Sequence, residues 1–372
     1  MTLRHLFILS KNTRRVYIKA LKKEFWKYIS FSVLGMIGSS GIILADTFFV
    51  SQVLGADGLA ALNIAVAIFG LMNGIALMIG IGGACHYTFL KSQQRHHEAN
   101  EFFTLSFTMA LGVGICFFLT GYFGASWVAR CLGAHQDILF LCTTYLKTVL
   151  MFAPCFLLNH LLMAFIRNDG APQLSMLMMV IGSLSNIILD YLFMYLLHMG
   201  IFGAALATEL APTISILIGA FYILLRKNGF HCVMITPKFL QIKRMMEPGI
   251  SSFINEFSSS LVLIVYNSLI FHLAGNIGVA AYGIIANLAL IVVTIFNGIS
   301  QGIQPLFSQA YGRNKDEDIQ YLYQKGCFLV VMMGLCILTI AYFCSYQLVS
   351  LFNHDNHSML QLLAHEGMKS YL

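Results

Sequence analysis

Three acidic residues lie deep within apolar runs: Asp46 in "ILADTFFV", Asp190 in "LSNIILDYLFMY" and Glu209 in "LATELAP". A carboxylate near the middle of a bilayer costs about 2.5 kcal/mol or more even on lenient insertion scales, so each needs a partner or a task. Asp46 falls eight residues before Leu54, and Asp190 seven before Leu197, in runs read in the same direction. At a rise of about 1.5 Å per residue, both lie roughly 10–12 Å inside one boundary. Glu209 stands eight residues into the run that returns from Ile201, at the same depth. Thr208 is its neighbour, and Asn186 precedes Asp190 by one helical turn on the same face. Such oxygens suit a hard monovalent cation. Carboxyls that are desolvated and mutually repulsive can carry protons instead. The competing reading makes each acid a satisfied packing group. Three acids at one depth weigh against it for Asp46 and Asp190. For Glu209 it stays open, because Pro212 can bend the helix and turn the side chain to water.

The elements that must position these residues follow from composition. The chain has 372 residues, 58% hydrophobic and 10% charged, where a soluble domain is about a quarter charged. It reads as an all-α integral membrane protein. Apolar runs fall at 28–54, 58–90, 102–126, 138–166, 172–199, 201–226, 246–274, 278–308 and 322–352, with a tenth beginning near 358. Each exceeds the ~20 residues a span requires, and closed β-barrels lack such continuous runs. Nineteen Lys and Arg residues lie before the first run or in the even-numbered turns, against Arg130 alone on the opposite side. The positive-inside rule places the N-terminus in the cytoplasm. The net charge of +6 is thus topological, and nucleic acid is not expected as a partner. The nine cysteines are scattered without a CxxC pair, so neither disulfides nor structural zinc is expected. No P-loop, metal cluster or nucleophile constellation points to an enzyme.

An internal repeat is visible at an offset of 220. Gly55, Gly58, Ala60, Ala61 and Gly82 meet Gly275, Gly278, Ala280, Ala281 and Gly302. Two parallel halves joined by a basic linker are the simplest architecture, and repeats of this kind mark transporters whose halves rock about a central site. The expected organisation is a basic N-terminus (1–27), a first lobe of six spans (28–226), a cytoplasmic linker (227–245) and a partial second lobe (246–372).

The block "RNDGAPQLSMLMMVIGSLSNIILDYLFMYLLHMGIFGAALATELA" (167–211) resembles the MATE family of multidrug and toxic compound extrusion transporters, in its MepA- and DinF-like branch. "ILADTFFVSQVLGADGLAALNI" (43–64) is similar to that family's first helix and turn, and "QPLFSQAYGRNKDED" (304–318) to its eighth helix and loop. The resemblance implies two pseudo-symmetric six-helix lobes in a bacterial cytoplasmic membrane. It also implies export of small, often cationic organic compounds by antiport against H⁺ or Na⁺, with no cofactor and no obligate protein partner. The chain ends where the family's tenth helix would start, so the second lobe is expected to be incomplete. The resemblance assigns Asp46, Asn186, Asp190 and Thr208 to a first-lobe cation and proton site and adds Asn159 as a neighbour. Glu209 is not part of that pattern and enters from depth alone. Glu256, in "PGISSFINEFSSS", resembles the helix-7 glutamate of the NorM-like branch, and the resemblance implies a part in cation coupling. Two alternatives stay open: a flippase for lipid-linked precursors in the same superfamily, and a non-transporting remnant.

Other residues carry weaker signals. "HHE" at 96–98 is not a zinc-protease motif and reads as a solvated turn. Lys147 is expected to snorkel toward headgroups, and His160, His198 and His272 read as packing or interface residues. Pro154, Pro212 and Pro248 are candidate kink points. Gly35, Gly38 and Gly41 are candidates for close helix approach. The 19 Met and 30 Phe suit a deformable cavity for varied cations, although most must face lipid.

Overall fold

The computed structural model describes residues 3–134, 136–345, 347, 362 and 365–368. Side chains are described from Val16 onward, apart from those at 43–44, 56, 136–137, 264, 267–268, 271–272, 274–281 and 284. The described residues form nine α-helices and no strand. α1 (Leu3–Ser92) is broken at Gly55, whose φ of 61° and ψ of −146° lie outside the helical region. Glycine adopts that backbone without a Cβ clash, and the break separates two spans, Val16–Gly55 and Asp57–Ser92. Then follow α2 (His96–Cys131), α3 (Gln136–Met151), α4 (Ala153–Asn168), α5 (Pro172–Asp190) and α6 (Gly200–Leu224). A short α7 (Phe239–Met246) and a 3₁₀ turn (Glu247–Gly249) lead into α8 (Ile250–Gly312) and α9 (Asp316–Phe343).

Seven of these helices or limbs are long and apolar enough to cross a membrane, and eight when α3 and α4 are taken as one span bent by 50°. The bend falls where Pro154 opens α4, as the sequence predicts for that proline. α8 doubles back on itself: the Asn297 amide donates to the Glu256 carboxylate at 3.3 Å although 41 residues separate them. Its first limb matches the run at 246–274, but several of that limb's side chains, and those at 274–281, lie outside the described ones. His272, Lys369 and most of the expected tenth run also fall outside them. The sequence places the first span at 28–54, whereas the helix is already formed from Leu3, so most of the basic N-terminus is helical. Tyr17 in this extension is hydrogen-bonded to Asp318, and Lys315 Nζ donates to its hydroxyl at 2.9 Å.

The largest core joins the second limb of α1 to α2–α6 and closes over Phe230 and Met245. A second core packs Phe25, Tyr28 and Ile29 of α1 against Ile299, Ile303 and Leu306 of α8. The repeat therefore has a physical counterpart at the end of the bundle that bears the basic loops. A Cβ on Gly82 would stand 2.0 Å from the Met245 carbonyl oxygen, and one on Gly302 would stand 2.8 Å from Ile29 Cα. Met245 and Gly249 are the offset-220 counterparts of Phe25 and Ile29. The same contact is thus made twice, each half pressing a glycine onto the start of the other's first helix. The counterpart glycines Gly275 and Gly278 lie among the residues whose side-chain surroundings are undescribed.

Of the glycines in the first span, Gly35 and Gly38 bring α1 onto α5, with Cβ positions 2.9 Å from Met179 Sδ and 3.1 Å from Val180 Cγ2. Gly41 has nothing within 4 Å and makes no close approach. Gly82→Ala and Gly302→Ala should each destabilise the chain by about 1–3 kcal/mol, because backbone rather than a flexible side chain must move. Gly41→Ala should stay within about 0.5 kcal/mol of the parent. Thermal unfolding in one detergent checks all three.

Candidate functional site

Four helices bring the polar residues of the first lobe together. Asp46 comes from the first limb of α1, Asn186 and Asp190 from α5, Thr208 and Glu209 from α6, and Tyr145 from α3. All six are buried, and Asn186, Asp190 and Glu209 have no exposed surface. The Thr208 hydroxyl lies 3.1 Å from Asp46 Oδ2 and 3.0 Å from the Ala204 carbonyl, so its single proton serves one of them at a time. The Asp46 and Asp190 carboxyls face each other within hydrogen-bonding reach, with Asn186 turned toward Asp46. Two carboxylates cannot bond unless a proton or a cation lies between them. Tyr145 faces Thr208 and stands near all three acids.

Hydrogen-bond bookkeeping makes the cluster unusual. Asp46 Oδ1, both oxygens of Asp190, both oxygens of Glu209 and both amide atoms of Asn186 have no hydrogen-bond donor or acceptor among the described residues. Buried polar groups are normally satisfied, and unsatisfied ones in a native structure call for a ligand or a task. Glu209 is not turned to water: Pro212 sits inside α6, yet the side chain stays inside the lobe. Proline has no N–H, so Pro212 cannot donate to the Thr208 carbonyl one turn earlier. Directly after Asp190 the helix widens into a π turn over Tyr191–Leu196. Such turns recur at functional sites because they re-aim the residues flanking them.

Of the remaining sequence candidates, Asn159 is joined to the acids by no hydrogen bond among the described residues, and Glu256 lies elsewhere. Asn159 is buried on α4 with its Oδ1 unpartnered. Glu256 belongs to a different place: a cavity of about 270 Å³ between the lobes, lined also by Asn255, Asn297, Ser300, Gln301 and Gln304. Asn73 from the first lobe donates to Glu256 Oε2 at 2.9 Å. Lys147 is exposed and lies over the Tyr122 ring at 5.8 Å. The "HHE" stretch is solvated, with Glu98 held by Arg95.

Sequence reasoning missed Tyr145, whose place in an apolar run looks like any interface tyrosine. It also counted Arg167 as a loop charge. The side chain is 6% exposed and donates to Gln301 Oε1 at 2.5 Å across the lobe boundary. Asn168 beside it donates to Gln304 at 2.9 Å and accepts from Thr88 at 2.8 Å. Asp169 then binds Lys91 at 2.5 Å and Tyr87 at 2.7 Å.

A bundle of apolar spans, repeated in two halves around a polar seam with a buried acidic pocket in one half, defines a multi-span membrane protein of transporter architecture. The chain belongs to the MatE family, whose profile matches residues 32–192 and 251–366. It is similar to the multidrug export protein MepA of Staphylococcus saprophyticus, 25% identical over 347 residues, covering 92% of this chain and 76% of that protein. MepA of Staphylococcus aureus strain MRSA252 is 24% identical over 340 residues, covering 89% and 74%. Among solved structures, a MATE in complex with MaL6 superposes with a TM-score of 0.86 at 23% identity, covering 92% of this chain and 77% of that one. An outward-facing multidrug resistance MATE transporter of the MOP superfamily also gives 0.86, at 22% identity and coverage of 94% and 78%. The two-lobe MATE-like fold inferred from the sequence is therefore the fold of this chain.

Two substitutions probe the pocket without any transport assay. Asp190→Asn removes one of two facing carboxyls and supplies Asp46 with an N–H donor, so it should raise thermal stability by about 1 kcal/mol. Thr208→Val should lower it by about 1 kcal/mol through loss of the hydroxyl. Thermal unfolding of the purified chain reads both.

Proposed function

We propose that this protein exports small organic, often cationic compounds across the cytoplasmic membrane by antiport against H⁺ or Na⁺. The observation behind this reading is the Asp46–Asp190 pair, buried face to face with no donor for Asp190 among the described residues. A pair in that setting is stable when it holds a monovalent cation and strained when empty. Multidrug export is the activity named for both MepA relatives. The basic end of the bundle is the cytoplasmic one, with the N-terminus inside, as the distribution of Lys and Arg supports.

Alternating access follows from the repeat. At the cytoplasmic end the lobes meet backbone to backbone at Gly82 and Gly302, and Arg167 and Asn168 reach across to Gln301 and Gln304. These contacts must separate for a substrate to enter from inside. Cation binding shifts the balance between the two conformers by as much as its affinity differs between them.

In liposomes containing the full chain, efflux of a cationic dye should follow an imposed H⁺ or Na⁺ gradient and slow when that gradient is collapsed. Asp190→Asn should cut the gradient-driven rate at least ~10-fold, the effect of about 1.4 kcal/mol. Unchanged exchange in this variant, or efflux that persists on ATP alone, contradicts the mechanism. A second measurement addresses the cytoplasmic closure. Cys85 lines the cavity beside Gln301 and accepts from Gln304 Nε2 at 2.9 Å. In a chain retaining it as the single cysteine, Gln301→Ala should speed maleimide labelling from the cytoplasmic side ~10-fold or more. The lost charge-assisted hydrogen bond is worth about 1.5 kcal/mol or more.

A further inference from the structure

One ion-coupling pair requires two carboxyls, but this pocket contains three. Asp46 and Asp190 face each other, and Glu209 lies close enough to Asp46 to interact with it electrostatically. The groups around them are neutral: Tyr145 from α3, Asn186 from α5 and Thr208 from α6. Among the described residues no Lys, Arg or His pairs with any of the three acids. A dry interior tolerates little uncompensated charge, and a single monovalent cation would leave two negative charges there.

Two independent features point to occupants. Glu209 is fully buried with neither carboxyl oxygen partnered, and Asp190 is fully buried with no donor on either oxygen. Resting on the reading of Asp46 and Asp190 as the coupling pair, we propose that Glu209 gives the same pocket a second cation. That cation is a proton on the Glu209 carboxyl, held in addition to the H⁺ or Na⁺ shared by the pair. Among the described residues no group is hydrogen-bonded to either Glu209 carboxyl oxygen, and a proton needs no ligand beyond that carboxyl, whereas a sodium ion needs several oxygens to replace its hydration shell. Exchange of two such cations for one singly charged compound moves net charge inward, so the membrane potential drives the cycle as well as the ion gradient.

An equilibrium count on the purified full chain in lipid at neutral pH tests this. Protonated carboxyl groups are counted by infrared absorption and bound sodium by radiotracer. Both are taken as the difference from a chain carrying Asp46→Asn, Asp190→Asn and Glu209→Gln together. The parent should hold two cations, Glu209→Gln one and Glu209→Asp two. A parent count of one, or two cations retained by Glu209→Gln, overturns the inference. The underlying reading fails differently: there, Asp190→Asn leaves both the count and gradient-driven efflux unchanged. In folded protein, the charge carried per dye molecule should fall by one on Glu209→Gln, read as loss of the response to a valinomycin-clamped potassium potential. An unchanged response counts against the second proton.

Discussion

Two buried carboxyls held face to face, with the Thr208 hydroxyl as the one donor to the pair among the described residues, are the constraint on which the first lobe is organised. A single helix cannot meet it. Asp46 needs the Thr208 hydroxyl from α6, and Asp190 needs α5 pressed against α1, which Gly35 and Gly38 permit by letting Met179 and Val180 approach. The π turn after Asp190 and the proline after Thr208 each give up a regular backbone hydrogen bond in this neighbourhood. Such irregular backbone is tolerated at membrane depth where it lies within protein or beside a cavity.

The first limb of α1 links this pocket to the lobe boundary. Asp46 lies toward one end of it. Roughly 20–25 Å away along the helix, Val33 abuts Gly298 and Ile29 abuts Gly302 of α8. One rigid element thus touches the acids at one end and the opposite lobe at the other. In the proposed mechanism this helix is the mechanical member common to pocket occupancy and lobe closure. Glu256, in the cavity between the lobes, is tied to both sides through Asn73 and Asn297.

Much of this was legible in the sequence. Apolar runs of more than twenty residues dictate helices, and depth counting placed Asp46, Asp190 and Glu209 at one level before any contact was known. The repeat was readable because close backbone approach demands glycine, at Gly82 and Gly302 alike. Other features were hidden for physical reasons. Tyr145 joins the acids through the rotation of α3, and its polar tip leaves no period in an apolar stretch. Arg167 looked like a loop charge because hydropathy does not register a partner such as Gln301, 134 residues away. The π turn has no composition of its own, since "YLFMYL" would serve equally well in a regular helix.

The central claim is that the dry acidic pocket exchanges its cations for substrate. The most direct measurement is the ion released when a cationic dye binds the purified chain in lipid, read by a pH indicator in weak buffer and by loss of bound radioactive sodium. The account predicts that dye binding releases protons or sodium in proportion to the dye bound, and that the release falls when Asp46 or Asp190 is made Asn. Dye that binds with unchanged affinity and releases neither ion would contradict it.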